Sequence, residues 1–424
     1  MAVAISAPIL RGDRSGGSST PTISGLVPIT RTGSGAGRAR VDKNMHEHCG
    51  ARDASSSSVE FDDKGWPAWP GREDLSAEFI KLLAAAQEGG STVSECWLTL
   101  SKVNLASESS WSEQWIKTAE LNEARAELSL LNDNLVTARR NWLRATTYFH
   151  AAVRPPGYAN DLLNRAVDGM RRCATSFLKS RVPAGQVLSI PWTEDLSLQA
   201  YYLPSAVRDD GPVVVCIGEP GSYKEELITK YAGHANERGF SLLAVDLLGT
   251  QTVLSPERLD GHKFEVAMSR VLDFLSEKPG VDSTRIAIVA DACSSSLVAR
   301  AAASDARFAA AVCDAGIWDL HERSFFHRQA GDDTQICWIE EANAISRSIE
   351  CPLLVTAGEA GWLLPGALTK FGDQLSSIHR DARLVLFRRA ETAAMQGHID
   401  NPTLANEVIF DWLEDRLRLR KGLS

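Results

Sequence analysis

The sequence predicts an α/β fold in which a mostly parallel sheet carries helices on both faces and follows a helical accessory or cap region. Apolar residues recur at three- and four-residue intervals from about residue 74 to residue 180, which is the period of amphipathic helices. Beyond that point, short continuous apolar runs alternate with amphipathic segments, as in buried parallel strands joined by helices. The 424 residues, 44% of them hydrophobic, can fill a large core. We therefore divide the chain into residues 1–60, 61–182 and 183–424.

Residues 1–60 are predicted to be a disordered leader. They are rich in Gly, Ser, Thr and Arg, contain runs such as "SGGSS" and "ASSSS", and show no hydrophobic periodicity. A segment of this composition buries too little apolar surface to offset the entropy lost on ordering.

The composition favours a cytoplasmic protein that acts on a small molecule. Its net charge of −9 and the lack of a basic block argue against a nucleic-acid partner. No apolar run approaches the roughly 18 to 20 residues that span a bilayer, so no membrane association is expected. The eight cysteines are scattered singly, without CxxC pairs, which is typical of reduced thiols rather than a disulfide framework. Neither a metal nor a cofactor is expected.

The helical region is predicted from four amphipathic segments. They are "SAEFIKLLAAAQEG", "SECWLTLSKV", the long stretch from Trp111 to Ala152, and "YANDLLNRAVDGMRRCATSFLKS". The sequence "RPPG" at 154–157 separates the last two, because proline interrupts a helix.

Eight short apolar runs after residue 183 are predicted to be the strands of the sheet. They read "VLSIPW", "LQAYYLP", "VVVCIG", "SLLAVDLLG", "RIAIVA", "AAAVCD", "PLLVTAG" and "RLVLFR". Because active sites of open α/β sheets lie beyond the carboxyl ends of the strands, we examined the residues that follow these runs.

The fifth run, "RIAIVADACSSS", has the outline of a nucleophile elbow, a strained corner between a strand and a helix. Such a corner needs small residues two positions before and after it, and Ala290 and Ser294 meet this need around Ala292. Alanine has no attacking group, and the amide of Cys293 would then stabilise an oxyanion. A register shifted by one residue makes Cys293 the nucleophile, but it places Asp291 at a flanking position where it fits poorly.

The third run leads into "GEPGSYKEE", a loop that feeds a helix. We interpret this loop as the second source of oxyanion amides and as part of a substrate site, with Gly218, Glu219, Gly221 and Tyr223 as its candidate residues. A plain strand-to-helix turn is the alternative interpretation.

A general base is predicted after the last strand, where "GHIDNP" provides His398. The acid that orients such a histidine normally follows the strand "PLLVTAG", but the chain has Gly361 at that position and Glu359 two residues earlier. Asp314 or Asp319, after "AAAVCD", is the candidate replacement.

Together these segments resemble an α/β-hydrolase family that includes the fermentation-respiration switch protein, the pseudooxynicotine hydrolases and fungal enzymes that shorten polyketide chains. The likeness runs from about residue 135 to the C-terminus. "NLVTARRNWLRATTYFHAA" resembles the helical segment before the sheet, "GEPGSYKEE" resembles the loop Gly-Gly-x-Asp-Gly-x-Lys-Glu-Glu, and "GHIDNP" with "IFDWLEDRL" resembles the histidine loop and last helix. The resemblance implies the α/β-hydrolase fold.

The same resemblance implies a degenerate catalytic triad. The family's nucleophilic serine falls on Ala292, its acid on Gly361, and its oxyanion-loop aspartate on Gly221, while Glu219 replaces a glycine. Only the histidine is retained, as His398. Hydrolysis through an acyl-serine is therefore not expected.

Without a nucleophile, a sheltered histidine beside oxyanion amides can still move protons. The sequence therefore predicts a lyase or cyclase that acts on a polyketide-like natural-product intermediate, for example by eliminating acetate or another carboxylate. His398 is expected to face a sheltered cavity and remove a proton next to a carbonyl.

Two alternatives remain open. One is an ester or carbon–carbon bond hydrolase that uses Cys293 or a water activated by His398. The other is a non-catalytic protein that binds a ligand or partner through the helical region. That region either caps the pocket or forms a homodimer interface.

Overall fold

Residues 60–418 contain every part of the chain that the structure, a computed structural model, describes. The described ranges are 60–62, 65–69, 71–104, 106–107, 109–153, 160–193, 197–207, 210–218, 222–246, 261–317, 345–361, 363 and 365–418. All of them fall within one compact unit, residues 55–424. The predicted leader, residues 1–60, lies outside these ranges apart from its last residue.

Two short antiparallel strands and five helices precede the central sheet. They are β1 (Glu60–Phe61), β2 (Pro67–Ala68), α1 (Glu73–Ala84), α2 (Val93–Leu100), α3 (Ser110–Leu131), α4 (Leu135–Val153) and α5 (Asn160–Lys179). The long helical stretch in the sequence divides into α3 and α4 near Asp133, whose φ of +58° is incompatible with a right-handed helix. No helix in the described ranges is both long and apolar enough to cross a bilayer.

In the part of the chain after residue 183 that the structure describes, helices alternate with the strands of an eight-stranded sheet. Its elements are β3 (Gln186–Pro191), β4 (Ser197–Leu203), β5 (Val213–Ile217), α6 (Lys224–Glu237), β6 (Ser241–Asp246), α7 (Gly261–Glu277), β7 (Ile286–Ala290), α8 (Ser295–Ser304), β8 (Ala310–Cys313), β9 (Leu353–Gly358), α9 (Pro365–Ile378), β10 (Ala382–Phe387) and α10 (Pro402–Leu417). Two 3-10 turns, Ala292–Ser294 and Gln396–His398, follow β7 and β10.

The strands lie in the order β10-β9-β8-β7-β5-β6-β4-β3. All neighbouring pairs from β10 to β6 are parallel, whereas β4 pairs antiparallel with both β6 and β3. The predicted mostly parallel sheet is therefore confirmed. Strands β5 and β7 lie side by side at its centre, so the loops that leave their carboxyl ends are neighbours.

The sheet separates two hydrophobic cores because successive side chains of a strand point to opposite faces. In β5, Val213 and Val215 pack with α7 and α8, whereas Val214 and Cys216 pack with the N-terminal helices and α10. The helical region therefore shares one core with a face of the sheet. All five residues of β5 are fully buried, and a buried valine or isoleucine contributes about 1.5–3 kcal/mol.

Candidate active site

The corner after β7 has the backbone of a nucleophile elbow and the side chain of an alanine. Ala292 adopts a φ of +45°, a left-handed conformation that costs roughly 1–2 kcal/mol for a residue with a β-carbon. It begins the 3-10 turn that leads into α8, and only 7% of its surface is exposed. Ala290 and Ser294, the small residues on either side, are fully buried.

Two serines explain how the strained corner is held. The hydroxyl of Ser294 donates to the carbonyl oxygen of Gly218 at the end of β5. The hydroxyl of Ser295 contacts two carbonyl oxygens, those of Ala292 and of Asp314 at the end of β8. These side chains therefore join three neighbouring strand ends around the corner.

Cys293 is the second residue of the 3-10 turn, so its backbone amide directly follows the corner. Its side chain lies outside the described part of the structure. Both roles proposed for Cys293, as a nucleophile through its thiol or as an oxyanion donor through its amide, therefore remain predictions.

The loop after β5 is described only at its two ends. A β-carbon at Gly218 would lie 2.5 Å from the hydroxyl oxygen of Ser222, so a larger residue here would displace that hydroxyl. Glu219 and Gly221 lie outside the described residues. Tyr223 immediately precedes α6 and is buried, with its ring 6.2 Å from the ring of His150.

Lys224 anchors the far end of the same loop to the sheet. Its backbone N–H donates to Asp246 Oδ1 at 2.7 Å, and its ammonium donates to Asp246 Oδ2 at 2.8 Å. Asp246 is the last residue of β6, so one aspartate fixes the first turn of α6 to the strand beside β5.

His398 lies at the end of a strained loop between β10 and α10. Its own φ is +56°, and Ala393 in the same loop has a φ of +63°. Strained residues of this kind persist where the surrounding structure holds them, most often at functional sites. The carboxylate of Asp400 accepts backbone N–H groups from Ala394 and Met395 and so stabilises the loop.

Both ring nitrogens of His398 contact protein groups. Nδ1 lies 2.6 Å from the carbonyl oxygen of Ala393, so it must carry the proton of that hydrogen bond. Nε2 lies 3.2 Å from Asp314 Oδ1 and 3.0 Å from Thr356 Oγ1. The ring of Phe387 closes another side at a centroid distance of 4.8 Å.

The histidine loop and the corner are neighbours, but the imidazole is turned toward Asp314. A β-carbon placed on Gly397 would lie 3.5 Å from the β-carbon of Ala292. The side chain of His398 is fully buried, and neither nitrogen is left without a protein partner. This differs from the expected imidazole that faces a cavity, because the sequence gives no information on the ring's hydrogen-bond partners.

Asp314 is the candidate acid that meets the histidine. It follows β8 and is fully buried. Burial alone would raise the pKa of Asp314, but the charges of Lys230 and His398, with hydrogen bonds from His398 and Thr356, lower it below its usual range. Glu359 has a different partner, since its carboxylate accepts the backbone N–H of Arg389, and Asp319 lies outside the described residues.

Two further charged residues, Lys230 and Asp291, belong to the cluster, and the sequence predicted a functional role for neither. The Lys230 ammonium lies 2.6 Å from Asp291 Oδ1 and 3.1 Å from Asp314 Oδ2. Burial alone would lower the pKa of Lys230, but the two carboxylates raise it well above its usual range. The available signal was a lysine three residues after Leu227 and next to Tyr231, on the buried face of α6.

The described residues hold no group of three or more His, Cys, Asp or Glu side chains arranged for a metal ion. A cavity of about 580 Å³ lies near the amino end of β10, away from the carboxyl ends of the strands where the corner and His398 lie. It is lined by Ile349, Glu350, Ile378, His379, Arg380 and Asp381.

The strand order, the corner after β7 and the histidine after β10 together define an α/β-hydrolase fold. The structure of 2,6-dihydroxy-pseudo-oxynicotine hydrolase superposes with a TM-score of 0.62 at 15% identity, covering 79% of this chain and 95% of that one. The structure described as AbyA5 wildtype superposes with a TM-score of 0.53 at 17% identity, covering 82% and 99%. The fold predicted from the resemblance is therefore confirmed.

Several fungal enzymes are similar in sequence. The hydrolyase poxO of Penicillium oxalicum is 29% identical over 304 residues, which cover 69% of this chain and 66% of the relative. The α/β hydrolase xenA of Xenoacremonium sinensis is 30% identical over 261 residues, which cover 58% and 60%. The chain thus spans slightly less than two thirds of these relatives. No family model matches it.

Proposed function

We propose that this protein is a natural-product tailoring enzyme that eliminates a carboxylate from, or cyclises, a polyketide-like intermediate without forming an acyl-enzyme. The observation that carries the proposal is the left-handed φ of +45° at Ala292, in an elbow that offers no nucleophile. An alanine gains nothing from this conformation, so the function of the corner is assigned to its backbone.

The backbone after the corner is suited to stabilise negative charge. The amides at the start of α8 point away from the helix, and its dipole adds partial positive charge at this end. A carbonyl oxygen that becomes an enolate would be stabilised there, with help from the loop at Gly218. Removing one such donor typically costs 10²–10³-fold in rate.

His398 and Asp314 are the proposed acid–base pair. The imidazole takes a proton from the carbon next to the carbonyl, and electrons move into the carbonyl oxygen. The enolate then re-forms the carbonyl, a carbon–carbon double bond forms, and the bond to the carboxylate leaving group breaks. The imidazolium returns its proton to the departing carboxylate, so the products are an alkene and a carboxylic acid.

This chemistry requires one ring nitrogen to be free of its proton and open to the substrate. In the described arrangement Nδ1 is held by Ala393, and Nε2 contacts Asp314 and Thr356. The proposal therefore includes a rotation of the imidazole away from one of these partners when the substrate binds.

The names of the relatives support elimination and hydrolysis to different degrees. The relative poxO is named a hydrolyase, a class that eliminates water, and several others are named hydrolases. Elimination of a carboxylate and elimination of water share the same first step, the removal of a proton next to a carbonyl.

The test uses a β-acetoxy carbonyl compound in water enriched in oxygen-18. Elimination breaks the alkyl–oxygen bond, so the released acetate is unlabelled and an alkene accumulates. Ester hydrolysis breaks the acyl–oxygen bond, so the acetate carries one label and an alcohol accumulates. Labelled acetate, or a His398→Gln variant with unchanged rate, would overturn the proposal.

Two variants serve as controls. His398→Gln is expected to lose at least about 10²-fold in rate. His379→Gln changes another buried histidine, which is 8% exposed and lies near the amino end of β10, and is expected to retain the rate. Ala292→Ser restores a hydroxyl at the corner and is expected to leave elimination no faster.

Hydrolysis through Cys293 is the second candidate, favoured by its position immediately after the corner. A reactive thiol would be alkylated in the folded protein, and the activity would be lost with it. The described cysteines give a low background because burial raises their pKa values: Cys96, Cys173, Cys216, Cys313 and Cys351. Cys293→Ala with full activity would eliminate this candidate.

A non-catalytic ligand-binding protein is the third candidate, and the closed contacts of His398 favour it. If this candidate is correct, His398→Gln retains ligand affinity and no substrate of the tested class is converted. Loss of conversion with retained affinity would instead support the enzyme.

We also propose a homodimer through the helical region. Aliphatic side chains near the turn between α3 and α4 are exposed to solvent, namely Leu121, Leu128, Leu130, Leu131, Leu135 and Val136. Sedimentation equilibrium of the parent and of Leu131→Asp tests this proposal, since the variant is expected to be monomeric.

A further inference from the structure

We propose that Lys230 and Asp291 set the charge that surrounds the Asp314–His398 pair, and that they are positioning residues for the base. This inference rests on the proposed function, in which His398 accepts a proton, but the contacts from which it is argued do not depend on any substrate. Neither residue has a role in the mechanism described above.

The contacts form one continuous chain from the corner to the histidine loop. Asp291, immediately before the corner, contacts the Lys230 ammonium at 2.6 Å, and the same ammonium contacts Asp314 Oδ2 at 3.1 Å. The other oxygen of Asp314 faces His398 Nε2 at 3.2 Å. The side chains of Asp314 and His398 are at most 1% exposed, and those of Asp291 and Lys230 are 11% and 13% exposed.

Thr356, Phe387, Tyr231, Cys216 and Asp400 are further described groups close to these four side chains. Thr356 and Phe387 contact the His398 ring and carry no charge. Tyr231 and Cys216 lie beside Lys230, and burial raises their pKa values well above their usual ranges. The carboxylate of Asp400 is bound to backbone N–H groups of the histidine loop.

Lys230 places a positive charge beside Asp314, and Asp291 offsets part of its effect. The ammonium contacts both carboxylates, and the carboxylate of Asp314 also faces the imidazole. Charges removed from water interact strongly, and an unmatched one is costly. A change of charge at Lys230 or Asp291 is therefore expected to alter how readily the ring takes up a proton, which is the step that the proposed elimination requires.

Substitutions of Lys230 and of Asp291 are expected to shift the proton affinity of the His398 ring in opposite directions. Lys230→Met removes the positive charge beside Asp314 and is expected to make the ring hold its proton more tightly. Asp291→Asn removes a negative charge beside the Lys230 ammonium and is expected to make the ring release its proton more easily. A residue with a purely structural role would not produce shifts of opposite sign.

The experiment follows the His398 ring by NMR in protein labelled at histidine Cε1, with the resonance assigned by its loss in His398→Gln. Relative to the parent, the titration midpoint is expected to rise by about one pH unit in Lys230→Met and to fall by a similar amount in Asp291→Asn. Lys230→Arg keeps the charge and is expected to stay near the parent.

Shifts of the same sign, or no shift in either variant, would overturn the inference. If circular dichroism shows that Lys230→Met does not fold, the nearly isosteric Asp291→Asn tests the inference alone. An unchanged His398 midpoint in that variant would then refute the inference. The titration needs no substrate. The expected shifts with no elimination would refute only the proposed function, and elimination without the shifts would refute only this inference.

Discussion

Replacing Asp314 with asparagine tests whether the buried charge cluster stabilises the fold. The variant loses the ionic contacts of Asp314 with Lys230 at 3.1 Å and with His398 at 3.2 Å. An asparagine oxygen can still accept from Thr356, and Lys230 keeps its contact with Asp291 at 2.6 Å, but both ionic contacts of Asp314 are lost. Hydrogen bonds to charged groups contribute about 1.5–3 kcal/mol each, and removing one partner of a buried ion pair costs up to about 3–5 kcal/mol. We expect a loss of this size in the free energy of unfolding, measured by urea denaturation.

Asp381→Asn is the matched control. Asp381 pairs with Arg416 at 2.8 Å, but the two side chains are 49% and 39% exposed. A surface pair contributes about 0–1 kcal/mol, so the same chemical change should have a small effect here. Losses of equal size in the two variants would refute the argument that burial makes the Asp314 cluster important.

The difference between the parent and Asp314→Asn should depend on pH. The folded-state pKa of Asp314 lies below its unfolded value, which is about 3.9, because Lys230 and His398 outweigh the effect of burial. Its stabilising contribution is therefore fully present above that value and is lost as the pH falls toward the folded pKa. A difference that stays constant through the acid range would contradict this assignment.

Three further predictions concern the corner, the contact between the helical region and the core, and the buried thiols. Ala292→Gly is expected to raise the free energy of unfolding by up to about 1 kcal/mol, because glycine adopts a left-handed φ without strain. The control Ala290→Gly, in β7, should lower the free energy of unfolding, and a decrease in both variants would contradict the strain argument. Contacts with His234 and Thr403 outweigh burial and lower the pKa of Glu88, so its contribution to stability is lost as the pH falls below about 4.3. Glu88→Gln is therefore expected to make stability less dependent on pH in the acid range, and an unchanged dependence in unfolding measurements would refute this prediction. Burial raises the pKa values of Cys96 and Cys351 to about 12, so mass spectrometry should find both unmodified by iodoacetamide until the protein is denatured, and rapid labelling of the native protein would refute their burial.

The fold is predictable from the sequence because its signals are local. Apolar runs such as "VVVCIG" have no polar face, which indicates strands covered on both sides, and β5 is fully buried in the sheet. The corner is predictable for the same reason. The small residues Ala290 and Ser294 lie within two positions of Ala292, so the register follows from a short segment.

The partners of the histidine are less predictable because they come from distant parts of the chain. Asp314, Thr356 and Lys230 lie on three different elements, and only the packed sheet brings them to His398. Sequence position reduced the acid to two candidates, Asp314 and Asp319, but could not assign the hydrogen-bond partners of each ring nitrogen. Charge pairing within a core leaves little trace in periodicity, and a single lysine on an apolar helix face was the only sign of it.

The shared core beneath the N-terminal helices limits how the corner can become accessible. Trp115 and Phe149 of those helices belong to the same apolar cluster as Val214 and Val289 of the sheet. Swinging the helices away as a rigid lid would expose this whole cluster to water, at about 25 cal/mol for each Å² of apolar surface. We therefore expect substrates to reach Ala292 by rearrangement of connecting segments, and a chain shortened to begin at residue 183 to precipitate rather than form an open enzyme.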